Sequence, residues 1–477
     1  MPNVKQITEL MLQMEEDLKL LENESYGHNA KLVWEFSRFF ITEQIKRNQG
    51  IQSVSHSEEK KLTQMIFRDK CIFVLSFIKS LLYFNPFISN RKKVLVLANP
   101  RRKLDNHGFY EDIYTDEIIR FLGSQKCLIV EHPYLGEHFM PTRYRVRHME
   151  MLKLLIYLHK KMISPAIDIQ IKTMAHAVEV YISNAINAQV NITKTIYELA
   201  KRFKREYFAY YLWLKILHPK VIFFVCGYGK EPLIYAAKKL KTTTIELQHG
   251  VITDYHLGYV VNRNAFKETF ADSLFVFGDY WKDISYYPIN RQKIFSIGYP
   301  YFSKEKLLYK DVAKKNQLLI LSQGTIGKKL SEYVVSLLEK NIPNNVQLIY
   351  KLHPGEFERW ESDYSELFLA QKSGLINVIT DEVPLYNLLA ESRWQMGVNS
   401  TSLFEGIGFN CITYILKLPG YEYMDRLNNA GLVTYIDTEQ SLSLEINSAV
   451  PDAGNQLFNE NWQGNFKQAM RTILREE

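Results

Sequence analysis

The sequence predicts an α/β protein built from two Rossmann-like halves, and three observations carry that prediction. Strand-length runs rich in β-branched residues recur along the chain, each ending in a loop of Gly, Pro or polar residues. Amphipathic helical stretches separate them, which is the alternation a parallel sheet requires. The runs fall into two series, one before about residue 290 and one after it. A chain of 477 residues has room for this at ~150 residues per domain, and 46% apolar with 23% charged residues gives no sign of disorder.

Residues 1–90 read as a helical N-terminal segment. Ile7, Leu10, Met11, Met14 and Leu18 recur at three- and four-residue intervals, as do Leu32, Phe36, Phe39 and Phe40. The first residues lack the unbroken apolar centre of an export signal. The apolar stretch 71–88 contains Lys79, ends near Asn85-Pro86 and falls short of the ~20 residues a crossing helix needs, so it reads as buried or surface-docked.

The first half, 91–288, opens with VLVLANP (94–100), a helix at 116–122 and CLIVEHP (127–133). A stretch at about 143–218 then reads as a helical insertion, after which VIFFVCG (221–227), TTIELQHG (243–250) and SLFVFG (273–278) resume the alternation. The second half, 289–445, contributes IFSIGYP (294–300), QLLILSQG (317–324), QLIYKLHPG (347–355), INVITDE (376–382), WQMGVNS (394–400), CITYILK (411–417) and VTYIDT (433–438). Residues 446–477 read as a C-terminal helix.

Charge and cysteine content exclude more than they assign. Fifty-nine basic against 52 acidic side chains leave +7, too dilute over this length for a dedicated nucleic-acid binder. Cysteines at 71, 127, 226 and 411 form no CxxC pair, so neither a zinc site nor a disulfide framework is expected, and a reducing cytoplasm fits.

Loops at the carboxyl ends of parallel strands converge on a crevice, so polar residues just after strands are the first candidates for a site. In Ser322-Gln323-Gly324-Thr325, glycine permits close backbone approach and the next helix offers N–H groups to a phosphate; an ordinary βα turn reads the same way. Lys351-Leu352-His353-Pro354 delivers an imidazole at a strand end, suited to a phosphate oxygen or to a satisfied core position. Ser400-Thr401-Ser402 opens a helix as a phosphate cradle or as a cap. Glu405, one turn on, suits ribose hydroxyls or the helix dipole. In the first half, Glu111-Asp112 and His249-Gly250 follow strands, and either Asp112 or His249 has the chemistry of a general base.

The set KLHPGE, TDEVPLYNLLAES and VNSTSLFEGIGFN resembles the donor-binding half of bacterial GT-B glycosyltransferases that build capsules and other surface polysaccharides. The resemblance spans roughly 220–440. Its HP motif and later Ser/Thr motif are most similar to those of the CMP-sugar users, the sialyl-, polysialyl- and Kdo-transferases. It implies a GT-B-like fold in which His353-Pro354 and Ser400-Thr401-Ser402 hold the donor phosphate; with the residues read above, the expected donor site is Gly324, Thr325, Lys351, His353, Pro354, Ser400, Thr401, Ser402 and Glu405. It further implies Asp112 or His249 as catalytic base, although Ile113 stands where that family's acidic pair is followed by glycine.

The expected activity is inverting, metal-independent transfer from a nucleotide sugar, CMP-linked by preference, to an oligosaccharide or lipid-linked glycan. No cofactor and no nucleic acid enter it, and no DxD triplet stands at a strand end. The alternatives are a CDP-glycerol-type glycerophosphotransferase, a non-hydrolysing sugar-nucleotide epimerase and a non-catalytic nucleotide- or glycan-binding assembly subunit. Alternating Arg143, Arg145 and Arg147, the mixed cations and rings of 199–215, and the apolar 71–88 suit either solvated helix faces or peripheral contact with the inner face of the cytoplasmic membrane.

Overall fold

The computed structural model describes residues 3–49, 77–87, 92–134, 136–162, 166–284, 286–324, 326–339, 342–343, 345–439, 442–444 and 454–475. The chain divides into two compact units. Unit 1 takes Met1–His249, Tyr255–Val276 and Ser285–Phe295, and unit 2 takes Gly250–Asp254, Phe277–Ile284 and Ser296–Glu477.

Unit 1 begins with helices α1 (Val4–Asp17) and α2 (His28–Asn48). Asn3 caps α1 by accepting from the Gln6 amide, and the Gln6 side chain returns the bond to the Asn3 amide. The apolar face predicted for α1 packs as predicted, with Ile7, Met11 and Met14 sharing a core with Trp34 and Ile41 of α2. Arg38 and Glu15 form a buried ion pair there at 2.6 Å, and Trp34 donates to the same carboxylate at 3.0 Å.

The sheet of unit 1 contains β1 (Val94–Leu97), β2 (Cys127–Glu131), β3 (Val146–His148), β4 (Val221–Val225), β5 (Thr243–Leu247), β6 (Ser273–Val276) and β7 (Ile294–Ser296). Its order is β3-β2-β1-β4-β5-β6-β7, and β1 through β6 pair in parallel. The connecting helices are α3 (Asp116–Leu122), α4 (Glu150–Met162), α5 (Ile169–Ile186), α6 (Ile192–Leu217) and α7 (Glu231–Lys239). Helix α6 ends at His218, whose φ of 47° gives the left-handed turn, and Pro219 follows it.

Two elements differ from the sequence reading. The stretch expected to be helical from 143 opens with β3, where buried Val146 and His148 alternate with half-buried Arg147 at a strand period. IFSIGYP, expected to start the second series, supplies β7 at the edge of the first sheet. Among the described residues no α-helix intervenes between β6 and β7, only short 3-10 turns, so the pattern alone could not say which sheet gains it.

In unit 2, helix α8 (Pro300–Leu308) precedes β8 (Lys315–Leu321), α9 (Gly327–Glu339), β9 (Gln347–Lys351), α10 (Ser365–Lys372) and β10 (Asn377–Ile379). Then follow α11 (Leu385–Glu391), β11 (Ser392–Gly397), α12 (Thr401–Gly408), β12 (Ile412–Leu416), β13 (Thr434–Ile436) and α13 (Trp462–Arg475). The parallel sheet has the order β10-β9-β8-β11-β12-β13. Its core joins Leu318 and Ile320 of β8 to Trp394 and Met396 of β11, with Leu330 and Val334 of α9 over them. The α/β class with two Rossmann-like sheets is therefore the one predicted.

Among the described residues no helix is long and apolar enough to cross a membrane. The 71–76 part of the apolar stretch and Ile88 lie outside them. Residues 77–82 are helical and dock on β3 in unit 1, where Ser80 Oγ and His148 Nδ1 lie 2.9 Å apart.

Candidate functional site

Both sheets contain the strand-order reversal at which loops splay apart and leave a crevice. In unit 2 it lies between β8 and β11. Gln323 follows β8 and Asn399 follows β11. Gln323 Nε2 donates to Asn399 Oδ1 at 2.6 Å, and the Asn399 amide donates back to Gln323 Oε1 at 3.1 Å. Asn399 Nδ2 also donates to the Gly420 carbonyl beyond β12 at 2.9 Å. Three loops are thereby joined across the crest.

His353 follows β9, the neighbour of β8 on the other side, so the His353 and Ser400 loops stand two strand spacings apart, ~10 Å. The side chain is exposed. The Gly355 amide donates to Nδ1 at 3.1 Å, so in the neutral ring the proton sits on Nε2. Pro354 begins the short turn that makes this bond possible. The core-histidine reading of His353 is therefore set aside. Lys351, half-buried, lies with its ammonium 5.7 Å from the Phe357 ring, and burial lowers its pKa.

A residue to which the sequence reading gave no role organises this crest. Glu356 is fully buried; its Oε1 accepts from Ser322 Oγ at 2.9 Å and from Tyr364 OH at 2.6 Å, and its Oε2 accepts from the His353 amide at 2.7 Å. A Cβ at Gly327 would overlap Glu356 Oε1 and Tyr364 OH, so glycine is required where α9 starts. Arg359 Nη2 donates to the Gly324 carbonyl at 3.2 Å and adds a cation beside that loop. The signal available in the sequence was the Glu three residues after His353, a capping-box spacing. Thr325 lies outside the described residues.

Ser400 caps α12, its Oγ accepting from the Ser402 amide at 3.3 Å, while Thr401 is exposed and Ser402 half-buried. Glu405 Oε1 accepts from Tyr386 OH of α11 at 2.8 Å.

In unit 1 the reversal lies between β1 and β4. A cavity of about 140 Å³ opens there, lined by Asn99, Glu131, His132, Cys226, Lys230 and His249 among others. His249 lies two residues beyond β5, with Nδ1 3.3 Å from Tyr259 OH and Nε2 3.2 Å from Tyr228 OH. Tyr259 OH donates to the fully buried Glu246 at 2.6 Å. Its oxygen therefore accepts from Nδ1–H, which leaves the Nε2 lone pair as the acceptor of the ring. Burial, and secondarily Lys230, pulls the imidazole down to about 4, so the ring is neutral at physiological pH. Lys230 donates to the Val225 and Cys226 carbonyls at 2.9 and 2.8 Å.

Asp112 is buried and its oxygens are already engaged. Oδ2 accepts from the Asn99 amide at 2.8 Å and from Thr115 Oγ1, and Oδ1 accepts from the Tyr114 amide at 3.0 Å. This is the geometry of a loop clasp. It gives Asp112 a positioning role beneath the β1 loop rather than an open face toward an acceptor.

Glu131, His138 and His148 form the tightest possible metal-ligand group among the described residues, but His138 is fully committed. Its Nδ1 lies 2.8 Å from Glu131 and its Nε2 2.7 Å from Glu150, and its ring stacks on His148 at 3.5 Å. Although burial opposes it, bonding to the two carboxylates holds the His138 pKa above its usual value. The group is an imidazolium clamp between two glutamates, and Arg102 pairs with Glu131 from the other side at 2.8 Å.

No protein-family model matches the chain, and no curated protein matches it. Among solved structures it is similar to UDP-GlcNAc 2-epimerase from Methanocaldococcus jannaschii, with 11% identity, a TM-score of 0.45 and coverage of 80% of this chain and 99% of that one. It is similar to UDP-GlcNAc 2-epimerase from Neisseria meningitidis bound to UDP-GlcNAc, with 11% identity, a TM-score of 0.42 and coverage of 80% and 99%. It is likewise similar to Acinetobacter baumannii MurG, with 12% identity, a TM-score of 0.40 and coverage of 81% and 100%. Likenesses this distant assign no residue a role and no substrate to the chain.

Proposed function

We propose that the protein is an inverting glycosyltransferase of surface-glycan assembly that uses a nucleotide-activated sugar, CMP-linked by preference. The observation that carries the reading is the exposed His353 ring, held through Nδ1 by the Gly355 amide, on the same crest as the Ser400 helix start. Charge accumulates on the phosphate as the glycosidic bond breaks, and donors held in place beforehand stabilise it most effectively. His353, the Gly324 loop with its neighbour Arg359, and Ser400-Thr401-Ser402 supply such donors; Lys351 adds positive potential. Glu405, held by Tyr386 OH, is assigned to the ribose.

His249 is the acceptor-side base in this reading. Its neutral Nε2, which accepts from Tyr228 OH at 3.2 Å, takes the proton from an attacking hydroxyl that displaces that phenol, and direct displacement inverts the anomeric carbon. Asp112 is assigned to holding the Asn99 loop. The acceptor is an oligosaccharide or lipid-linked glycan met at the inner face of the cytoplasmic membrane. Exposed Leu82 and Tyr83 beside Arg147, whose guanidinium donates to the Tyr83 carbonyl at 2.6 Å, support such a contact.

A thermal-shift series with CMP, CDP, UDP and GDP tests the donor side, since a ligand of the folded state raises the melting temperature. The expected result is a shift largest with CMP and lost in His353→Ala. Equal shifts in wild type and His353→Ala would overturn the site. Turnover of a UDP-sugar without acceptor would replace the transferase by an epimerase, and a preference for CDP-glycerol by a glycerophosphotransferase.

A further inference from the structure

Unit 2 contains a second, larger cavity that the nucleotide reading does not use. It encloses about 680 Å³, within the range of small-molecule sites, and lies at the amino-terminal ends of β8, β11 and β12. The length of β8, seven residues, separates it by ~20 Å from the Gly324 crest.

The wall is apolar and aromatic. Phe302 stacks on Phe458 with ring centroids 4.3 Å apart and meets Phe409 edge-on at 5.4 Å; Val312, Ile412 and Leu307 extend this surface. The charged lining is mostly cationic, with Ser303, Tyr309 and Asn410 as neutral polar neighbours. Lys306, Lys310, Lys314 and Arg393 face a single carboxylate, Glu460, which pairs with Lys306 at 3.1 Å.

The other cations lack comparable partners. Lys310 has only the exposed Asp311 at 4.0 Å. Lys314 donates to the Leu389 carbonyl at 2.7 Å and lies 3.5 Å from Cys411 Sγ, and burial lowers its pKa. Among the described residues no carboxylate lies within ion-pair distance of Lys314 or Arg393. Arg393, half-buried, lies over the Trp394 ring at 5.5 Å, and a desolvated cation such as Lys314 without a counter-charge is costly unless an anion completes it.

We propose that this cavity binds a small amphipathic anion, its apolar body against Phe302, Phe409 and Phe458 and its acidic head on Lys314 and Arg393. A membrane lipid with an anionic headgroup and a free alkyl acid or phosphate ester share this chemistry. The inference is independent of the nucleotide reading, because it concerns other residues at the opposite end of the sheet.

Calorimetric titration of the full chain with octyl phosphate, with octanol as the neutral counterpart, tests it. The expected result is saturable one-to-one binding of octyl phosphate at least tenfold tighter than octanol, and weakened at least tenfold in Lys314→Gln. Leu307→Asp, at a side chain 69% exposed, is expected to weaken it equally while leaving the melting temperature unchanged. Co-sedimentation with phosphatidylglycerol vesicles that both substitutions abolish would identify lipid as the source. Octyl phosphate binding without co-sedimentation would identify a free amphiphile. Equal affinity for octanol, no binding at millimolar octyl phosphate, or variants binding like wild type would overturn the proposal. Self-association abolished by Leu307→Asp, with octyl phosphate ignored, would overturn it in favour of a second copy of the chain.

Discussion

Gln323 and Asn399 exchange hydrogen bonds across the strand-order reversal of the second sheet, at 2.6 and 3.1 Å, and so fix the distance between the loops after β8 and β11. The Gln323 side chain satisfies both the Asn399 side-chain oxygen and the Asn399 backbone N–H, so removing it leaves unmade bonds on Asn399, at about 1–3 kcal/mol. Gln323→Leu is expected to lower stability to urea by that amount and to reduce the CMP-induced thermal shift more than its own stability loss explains. An unchanged shift would show that the pair does not shape the nucleotide site.

Glu356 accepts three donors from three different segments, and glutamine retains its volume but only one acceptor oxygen. Glu356→Gln is therefore expected to cost about 1–3 kcal/mol. Gly327→Ala should disturb the same hub, since its Cβ would overlap Glu356 and Tyr364. Urea unfolding measures both. Substitutions within one network couple, so the double variant should lose less than the two single losses combined.

The His249 assignment predicts a pH profile. A base held near 4 is deprotonated throughout the neutral range, so the rate should be flat from about pH 5 to 8 and fall only as pH drops through about 4. Tyr259→Phe removes the hydroxyl between Glu246 and Nδ1. It should lower kcat with little change in donor affinity. An acid limb near the ordinary histidine value, about 6.5, would refute the assignment.

The His138 clamp predicts pH-dependent stability. A histidine whose folded pKa is raised stabilises the fold fully below about 6.5, and loses that contribution as pH climbs through its folded value. His138→Gln leaves Glu131 and Glu150 facing each other without the imidazolium, at about 3–5 kcal/mol. The gap between wild type and variant, measured by urea unfolding between pH 5.5 and 9, should narrow as pH rises.

The parallel strands were legible because buried central strands are continuous apolar runs, as in Val221–Val225 and Ile412–Leu416, and their polar ends marked both crests. β3 was hidden because this edge strand of Val146, Arg147 and His148 has one buried apolar residue to show. Glu356, Glu246 and Tyr259 were harder still. Their importance lies in hydrogen bonds to residues that the fold brings near, and a buried carboxylate looks like a surface one until its partners are known. Asp112 was overread for the converse reason: its place after a strand suggested an open site, whereas Asn99, Tyr114 and Thr115 occupy it.

Because one carboxylate gathers Ser322, His353 and Tyr364, the arrangement at the head of β8 has a fixed place in the history of each molecule. Synthesis proceeds from the amino end, and domains fold as units once enough chain has emerged. A nascent chain that has released β8 and β9 still lacks Tyr364, and with it one of the three donors that hold Glu356 in place. The completed Glu356 hub therefore reports that translation has reached Tyr364, just ahead of α10, and chains truncated before it will carry β8 and β9 without that hub.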